Sequence, residues 1–284
     1  MRLLLKKMAV IMFTLLYVFC SSATTDKVRR PAVYKTYDII FDLDWTALYS
    51  LPASLHYTGE RYLNYGGESY RIVDWFEEAI QSLLEIPGVR ISIFTGGSRE
   101  RSEYILQQII LPDGSRLADR IHLSLAYHDM ALEINPKGDK FFDKHKKDLS
   151  RFFNDLKNTI IVDDQISVPQ SQRKNLLWLQ ETYNFYVDYK GHAEFPYDPP
   201  SLLDFNAERN KIVWTFNLLK QSLNQSKHSQ QDLTELVYRF SRDRKGKLKK
   251  KNRSDQLAHI YKTIKKFRMK YGKKTCANLA LNFD

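Results

Sequence analysis

The stretch Tyr37-Asp38-Ile39-Ile40-Phe41-Asp42-Leu43-Asp44-Trp45-Thr46 decides the fold. Its apolar core, 39–41, runs straight into a carboxylate. A short apolar run that stops at a polar cluster reads as a buried strand ending at its carboxyl edge. The same pattern recurs at 89–94, which ends at Thr95-Gly96-Gly97, and at 159–162, which ends at Asp163-Asp164. Helical patterns lie between these strands. Ile72, Trp75, Phe76, Ile80, Leu83 and Leu84 recur at helical spacing, a second pattern covers 101–111, and Leu149, Phe152, Phe153 and Leu156 suggest a third helix. Strands alternating with helices predict an α/β domain built on a parallel sheet. Ligands of such sheets sit at the carboxyl ends of the strands, where all three polar clusters fall.

Further along, the pattern predicts a helix over 172–183, a strand over 185–189, and a break at Pro196, Pro199 and Pro200. A long helix is expected over 203–223, a polar linker over 224–231, a helix through Leu233, Leu236, Val237 and Phe240, and a last helix carrying Leu257, Ile260, Ile264 and Phe267 on one face. The gap between Thr46 and Thr95 is expected to hold one helix and a short Tyr/Gly-rich stretch. That between Thr95 and Lys147 has room for a hairpin, so the cap over the site should be small or absent.

The polar clusters suit phosphoryl transfer. Asp42 can attack phosphorus to form an aspartyl-phosphate, and Asp44 can protonate the leaving oxygen and later deprotonate water. Two carboxylates repel a phosphate dianion, so a cation is required. Asp163 and Asp164 add hard oxygen ligands of the kind Mg²⁺ takes. Thr95 can donate to a phosphate oxygen, and Gly96 and Gly97 let backbone amides approach it. A lysine would offset the remaining charge; Lys140, Lys144, Lys146 and Lys147 all precede the third strand. Strand-end turns and helix caps are the bland alternatives for these residues. The seven histidines show no His-x-x-x-His pair.

Asp42-Leu43-Asp44-Trp45-Thr46 resembles motif one of the haloacid dehalogenase superfamily, Ile91-Ser92-Ile93-Phe94-Thr95 motif two, and Ile160-Ile161-Val162-Asp163-Asp164 motif four. Lys147-Asp148-Leu149-Ser150 before that last strand is similar to the phosphatases of the RNA polymerase II C-terminal domain and their small NLI-interacting-factor-like relatives. The resemblance covers about residues 34–205. It implies a Rossmann-like parallel sheet flanked by helices, with Asp42 as nucleophile and metal ligand. Asp44 would be acid/base and bind metal through its main-chain carbonyl. Thr95 and Gly96 would bind phosphate, Lys147 would be the motif-three lysine, Asp164 a direct Mg²⁺ ligand, and Asp163 a residue that orients the metal shell. Two positions depart from the pattern: Trp45 stands where relatives often carry Gly or Glu, and Gly96-Gly97 where Ala-Ser is common.

Arg2, Lys6 and Lys7, the apolar run 8–20 and Ser21-Ser22-Ala23 have the layout of a secretory signal cleaved after Ala23. The expected organisation is thus a signal at 1–23, a phosphatase domain at 34–205 and a basic helical extension at 206–284. Of the two cysteines, Cys20 leaves with the signal, so Cys276 has no disulfide partner. The formal charge is +11, yet residues 239–274 hold 16 Lys/Arg against Asp243 and Asp255, a balance of +14. The remainder is therefore close to neutral at −3, and the basicity belongs to the tail. Residues 242–274 could meet nucleic acid or lie as an amphipathic helix on an anionic membrane, or the apolar face could pack on the main domain. The function expected is an exported, Mg²⁺-dependent phosphomonoesterase acting on a phosphoprotein. The alternatives are a nucleotide or nucleic-acid 3′-phosphatase, or a non-catalytic module that binds through its tail.

Overall fold

The computed structural model describes residues 35–51, 61–134, 136–179, 202–242 and 254–272. From Thr36 onward these belong to one compact unit. The expected signal, the strand at 185–189, the proline-rich break, the charge run at 243–253 and Cys276 lie outside the described residues.

In chain order, β1 (Tyr37–Phe41) is followed by β2 (Leu48–Leu51), β3 (Tyr62–Tyr65), β4 (Glu68–Ile72), α1 (Phe76–Leu84), β5 (Val89–Phe94) and α2 (Arg99–Gln108). Then come β6 (Ser124–Leu125), β7 (Ala131–Leu132), α3 (Phe141–Lys144), β8 (His145–Lys146), β9 (Thr159–Asp163) and β10 (Leu176–Trp178). Four helices close the described chain: α4 (Leu202–Arg209), α5 (Lys211–Ser229), α6 (Leu233–Phe240) and α7 (Ser254–Tyr271).

The main sheet is parallel throughout, in the order β10-β9-β1-β5-β6. From β1 the chain builds outward through β5 and β6, then returns to the other side of β1 for β9 and β10. The strand order therefore reverses at β1, and such a reversal opens a crevice at the carboxyl ends.

Successive side chains of a strand point to opposite faces, so each apolar run feeds two cores. Tyr37, Ile39, Phe41, Ile91, Ile93, Ile160 and Val162 join a large core with α1, α2 and the C-terminal helices. Ile40, Phe94 and Ile161 face a smaller core with Met130, Leu149, Phe153 and Val168. That need for apolar contact on both faces is why 39–41 and 160–162 read as continuous hydrophobic runs, while β5 keeps Ser92 buried among Ile91, Ile93 and Phe94.

The helices after residue 202 share the large core. Ile212, Val213, Phe216, Leu219 and Leu223 of α5 are buried in it, and Arg209 Nε of α4 donates to buried Asp74 at 2.9 Å. In α7, Ile260, Ile264 and Phe267 are buried; the Phe267 ring lies 5.1 Å from that of Phe216. Ile260, Ile264 and Phe267 of α7 therefore pack into the protein's own core, as in the reading that placed this apolar face on the main domain. The residues that α7 exposes to solvent include His259, Lys262, Lys265, Lys266, Arg268 and Lys270.

Several predicted elements change. Ile72 belongs to β4, and α1 starts only at Phe76 because Trp75 takes a left-handed conformation, φ 69°. The region between Thr46 and Thr95 holds an antiparallel sheet, order β2-β4-β3, besides α1. Its hairpin turns at Gly66 and Gly67, with φ of 59° and 83°, the positive values that a two-residue hairpin turn requires and glycine supplies. The helix expected before the third strand is two single turns, Leu149–Arg151 and Leu156–Asn158. Of the helix predicted over 172–183, the described part is a short 3₁₀ segment, Gln170–Asn175, followed by edge strand β10, and 180–183 lie outside the described residues. The four-residue apolar run Leu176-Leu177-Trp178-Leu179 is too short for periodicity to tell helix from strand. The helix over 203–223 is two helices broken at Asn210, and α5 runs on to Ser229 through the expected linker.

One buried carboxyl gives the fold a pH dependence. Glu77 is pushed from its ordinary 4.5 to about 7, first by burial and then by neighbouring Glu78, with Arg61 opposing. The folded state thus keeps a proton that the unfolded chain has released between pH 4.5 and 7. Across that window stability should fall as pH rises, by up to about 1.4 kcal/mol per unit. Glu77→Gln removes this contribution, so its denaturant midpoint should exceed wild type at pH 8 and match it more closely at pH 5. Parallel pH profiles for the two proteins would refute this.

Candidate active site

Asp42 follows the last residue of β1, Thr95 follows β5, and Asp163 and Asp164 end β9. Because β1 lies between β5 and β9, with strands ~4.8 Å apart, these residues meet at one edge. The Asp42 amide donates to Val162 O at 3.0 Å and the Thr95 amide to Leu125 O at 3.0 Å, which continues the strand ladder into the site.

Lys147 enters from the opposite side and is fully buried. Its Nζ donates to Asp42 Oδ1 and Asp163 Oδ2, each at 2.7 Å. Its backbone amide is held by Ser167 O at 2.8 Å, and Ser167 Oγ donates to Asp163 Oδ2 at 2.6 Å. The three other candidate lysines, Lys140, Lys144 and Lys146, stay outside; Lys146 donates to the Phe142 carbonyl.

Asp42, Asp163 and Asp164 each offer an oxygen within 4.8 Å of the others, and all three are buried. Burial pushes the Asp42 carboxyl well up; Asp163, Asp164 and Asp44 add to this while Lys147 opposes it. Asp164 is pushed to about 6 by burial and then by Asp163. Burial alone would lower Lys147, but Asp163 and Asp42 hold it above its usual value. Lys147 bonds Asp42 and Asp163, Lys211 and Lys147 both favour the Asp164 charge, and the three carboxylates still outnumber the ammonium groups. Asp163 Oδ1 accepts from the Gln165 amide at 2.7 Å, and Asp164 Oδ2 from Gln165 Nε2 at 2.7 Å. Among the described residues Asp42 Oδ2 and Asp164 Oδ1 have no hydrogen-bond donor. Hard, under-neutralised oxygens in a buried cluster fit a divalent cation such as Mg²⁺.

The turn after Asp42 is tight. Ala47 and Leu48 amides both donate to Leu43 O at 2.8 Å, and Trp45 takes φ 60°. Lys211 of α5, fully buried, donates to the Trp45 carbonyl and to Glu208 at 2.6 Å. Thr46 Oγ1 accepts from the Asp164 amide at 3.2 Å and so joins the turn to β9. The turn therefore has supports on both sides.

Asp44 lies at the mouth. Its Oδ2 receives Arg101 Nη1 at 2.9 Å and Thr95 Oγ1 at 3.4 Å, and its Oδ1 receives Arg101 Nη2. Thr95 Oγ1 accepts from the Gly97 amide at 3.1 Å. Gly96 packs under Phe141 and Phe142, where a Cβ would lie 3.3 Å from the Phe141 ring. The structure thus brings Asp42, Asp44, Thr95, Gly96, Lys147, Asp163 and Asp164 to one end of the sheet. Arg101, Lys211, Gln165 and Ser167 also belong there and were not singled out by sequence. Arg101 alone had a local signal: it stands one turn into a helix whose N-cap, Ser98, closes the Thr95 loop.

A parallel α/β sheet with this carboxylate–lysine cluster at its switch point defines a phosphatase of the haloacid dehalogenase type. The model of NLI interacting factor-like phosphatases matches residues 37–192, more than half the chain, and the chain belongs to that family of phosphoric monoester hydrolases. Among solved structures it is similar, at 17% identity, to Fcp1, described as an essential RNA polymerase II CTD phosphatase, over 83% of this chain and 63% of that one, with a TM-score of 0.37. A fission yeast Fcp1 variant bound to beryllium fluoride matches at 17% identity over 86% of this chain and 68% of that one, with a TM-score of 0.35. The chain therefore spans less than two thirds of the first of these. A search of curated proteins finds no match.

Proposed function

We propose that this chain is a Mg²⁺-dependent phosphomonoesterase that acts on phosphoproteins and is exported through its first 23 residues. The observation that carries the chemistry is the Asp42–Lys147–Asp163 bridge beside the open oxygens of Asp42 and Asp164.

Asp42 is the nucleophile. Its free oxygen attacks phosphorus, the bond from phosphorus to the substrate oxygen breaks, and an aspartyl-phosphate forms. Asp44 gives a proton to the departing oxygen, then takes one from the water that hydrolyses the aspartyl-phosphate and releases inorganic phosphate. Lys147 fixes the Asp42 carboxylate and offsets the charge that collects around it. Thr95 Oγ1 and the amides of the Gly96-Gly97 loop face the transferred group. Asp42, Asp164 and the Asp44 carbonyl would hold Mg²⁺, with Asp163 orienting them; when bound, the ion neutralises the carboxylates and polarises the phosphoryl oxygens.

The substrate class follows from access. Among the described residues, the insert between β1 and β5 is a three-stranded sheet with one helix, and the Asp44 side chain keeps 32% of its surface exposed. An open mouth of this kind admits a phosphorylated side chain still attached to a protein. Hydrolysis of phosphoserine, phosphothreonine and phosphotyrosine peptides, measured after EDTA treatment and again after Mg²⁺ is returned, tests the reading. Activity should vanish and recover, and peptides should outperform free nucleotides. Turnover indifferent to EDTA would overturn the metal, and a preference for nucleotides would overturn the substrate class.

A further inference from the structure

Arg101 is held at the pocket mouth in an arrangement that neither the nucleophile nor the lysine explains. Both terminal nitrogens fork onto the two oxygens of Asp44. With both oxygens occupied, Asp44 cannot reach a leaving group or a water, so this contact must open before catalysis. The guanidinium reaches Asp44 by folding back over the start of its own helix, into the space that a Cβ on Gly97 would fill. A side chain at 97 would exclude it. Its Cζ also sits 4.8 Å from the centre of the Tyr70 ring, contributed by β4 of the insert. An aromatic face is a seat for a guanidinium that does not depend on Asp44.

Asp44 Oδ2 also receives Thr95 Oγ1, so Arg101 and Thr95 converge on a single oxygen. An oxygen anion is thus already cradled at the entrance to the phosphate loop, and that anion is the Asp44 side chain. Lys147 does not fill the same role, since it is fully buried and committed to Asp42 and Asp163. Arg101 Nε is buried and has no hydrogen-bond acceptor among the described residues. The mouth therefore contains a cation with an unmet donor, beside the loop that meets the transferred group.

We propose that Arg101 is a phosphate-binding residue that rests on Asp44 until a phosphomonoester enters, then moves its fork onto the phosphoryl oxygens and frees Asp44 to act as acid and base. The inference rests on the phosphatase reading above. Two parallel N–H donors match two non-bridging phosphate oxygens, and a dianion competes well against a monoanionic carboxylate that keeps partial access to water. Tyr70 holds the guanidinium plane during the exchange, so the side chain swings little and Gly97 leaves room for the swing.

The test measures inorganic phosphate, in the presence of Mg²⁺, both as a competitive inhibitor of aryl phosphate hydrolysis and by calorimetric binding, for wild type, Arg101→Ala and Arg101→Lys. Arg101→Ala should weaken phosphate and raise KM by about ten- to a hundredfold, the range of a lost charge-assisted pair. Arg101→Lys should fall between the two, since an ammonium keeps the charge but cannot fork. Added guanidinium ion should restore part of the loss in Arg101→Ala and do nothing for wild type. Unchanged phosphate affinity in both variants, with wild-type unfolding midpoints, would overturn the inference and leave Arg101 as a latch on Asp44 alone. Should Arg101→Ala not fold, Arg101→Lys decides by the same affinity. A wild-type protein that neither hydrolyses the aryl phosphate nor binds phosphate would instead remove the phosphatase reading beneath it.

Discussion

Asp42→Asn should abolish turnover, by on the order of 10⁴-fold or more, while the variant folds as well as wild type or better. The loss is large because the carboxylate oxygen makes the new bond to phosphorus, and the amide that replaces it is no nucleophile; removal of a nucleophile leaves only the catalysis that positioning supplies. The gain in stability has a separate cause. Burial and the negative charges of Asp163, Asp164 and Asp44 all work against ionised Asp42. Asparagine keeps the shape and one acceptor for Lys147 yet carries no charge into that crowd. The site thus sets function against folding, as functional sites often do. Kinetics on an aryl phosphate and thermal unfolding without Mg²⁺ check both halves. A variant that keeps more than about one per cent of activity would show that another group attacks phosphorus. One that melts well below wild type would show that the Asp42 charge is a net stabiliser through Lys147.

How much of this was legible in the sequence depends on whether a residue's neighbours are near it in the chain. The central strands β1, β5 and β9 were plain, because burial on both faces forces apolar runs at 39–41 and 160–162, and at 89–94 places Ile91, Ile93 and Phe94 around a buried Ser92. Their polar endings then placed Asp42, Thr95, Asp163 and Asp164 together, since adjacent parallel strands carry their carboxyl ends side by side. Lys147 was one of four candidates. Lys146 and Lys147 are adjacent on an extended segment and so point to opposite sides, and only burial, complete for Lys147 and partial for Lys146, separates them. The insert sheet had a local signal at Gly66-Gly67 that the aromatic residues around it obscured. Strand β10 had none, because a four-residue apolar run at a sheet edge fits a helix equally well. Arg101 had only its place one turn after the Ser98 cap as a local signal, and Lys211 had none. The first is distinguished from Arg99 only by its path over Gly97, and the second reaches Trp45 across 166 residues of chain.

Lys147→Met should cost about 3–5 kcal/mol of stability in the metal-free protein, besides its activity. Methionine keeps the length and the apolar stem that lies near the Phe94 and Phe142 rings, 5.9 and 5.8 Å from the ammonium, so little packing is lost. What is lost is the one cation bonded to Asp42 and Asp163, which leaves the buried carboxylates facing one another. The deficit should then depend on the means available to neutralise them. Protons are one. Asp164 is already raised from 3.8 to about 6 with the lysine in place. A carboxyl raised on folding binds more protons folded than unfolded, so its contribution to stability falls as pH climbs through that window. Removing Lys147 raises the cluster further, so the deficit should be smaller at pH 5 than at pH 8. A divalent cation is the other means, and at pH 8 Mg²⁺ at a hundred times its dissociation constant would return about 2.7 kcal/mol. Calcium and magnesium titrations of the variant's melting temperature at both pH values separate the two effects. A deficit unaffected by both pH and metal would mean that Lys147 supports the fold by packing, and that the carboxylates do not depend on a cation.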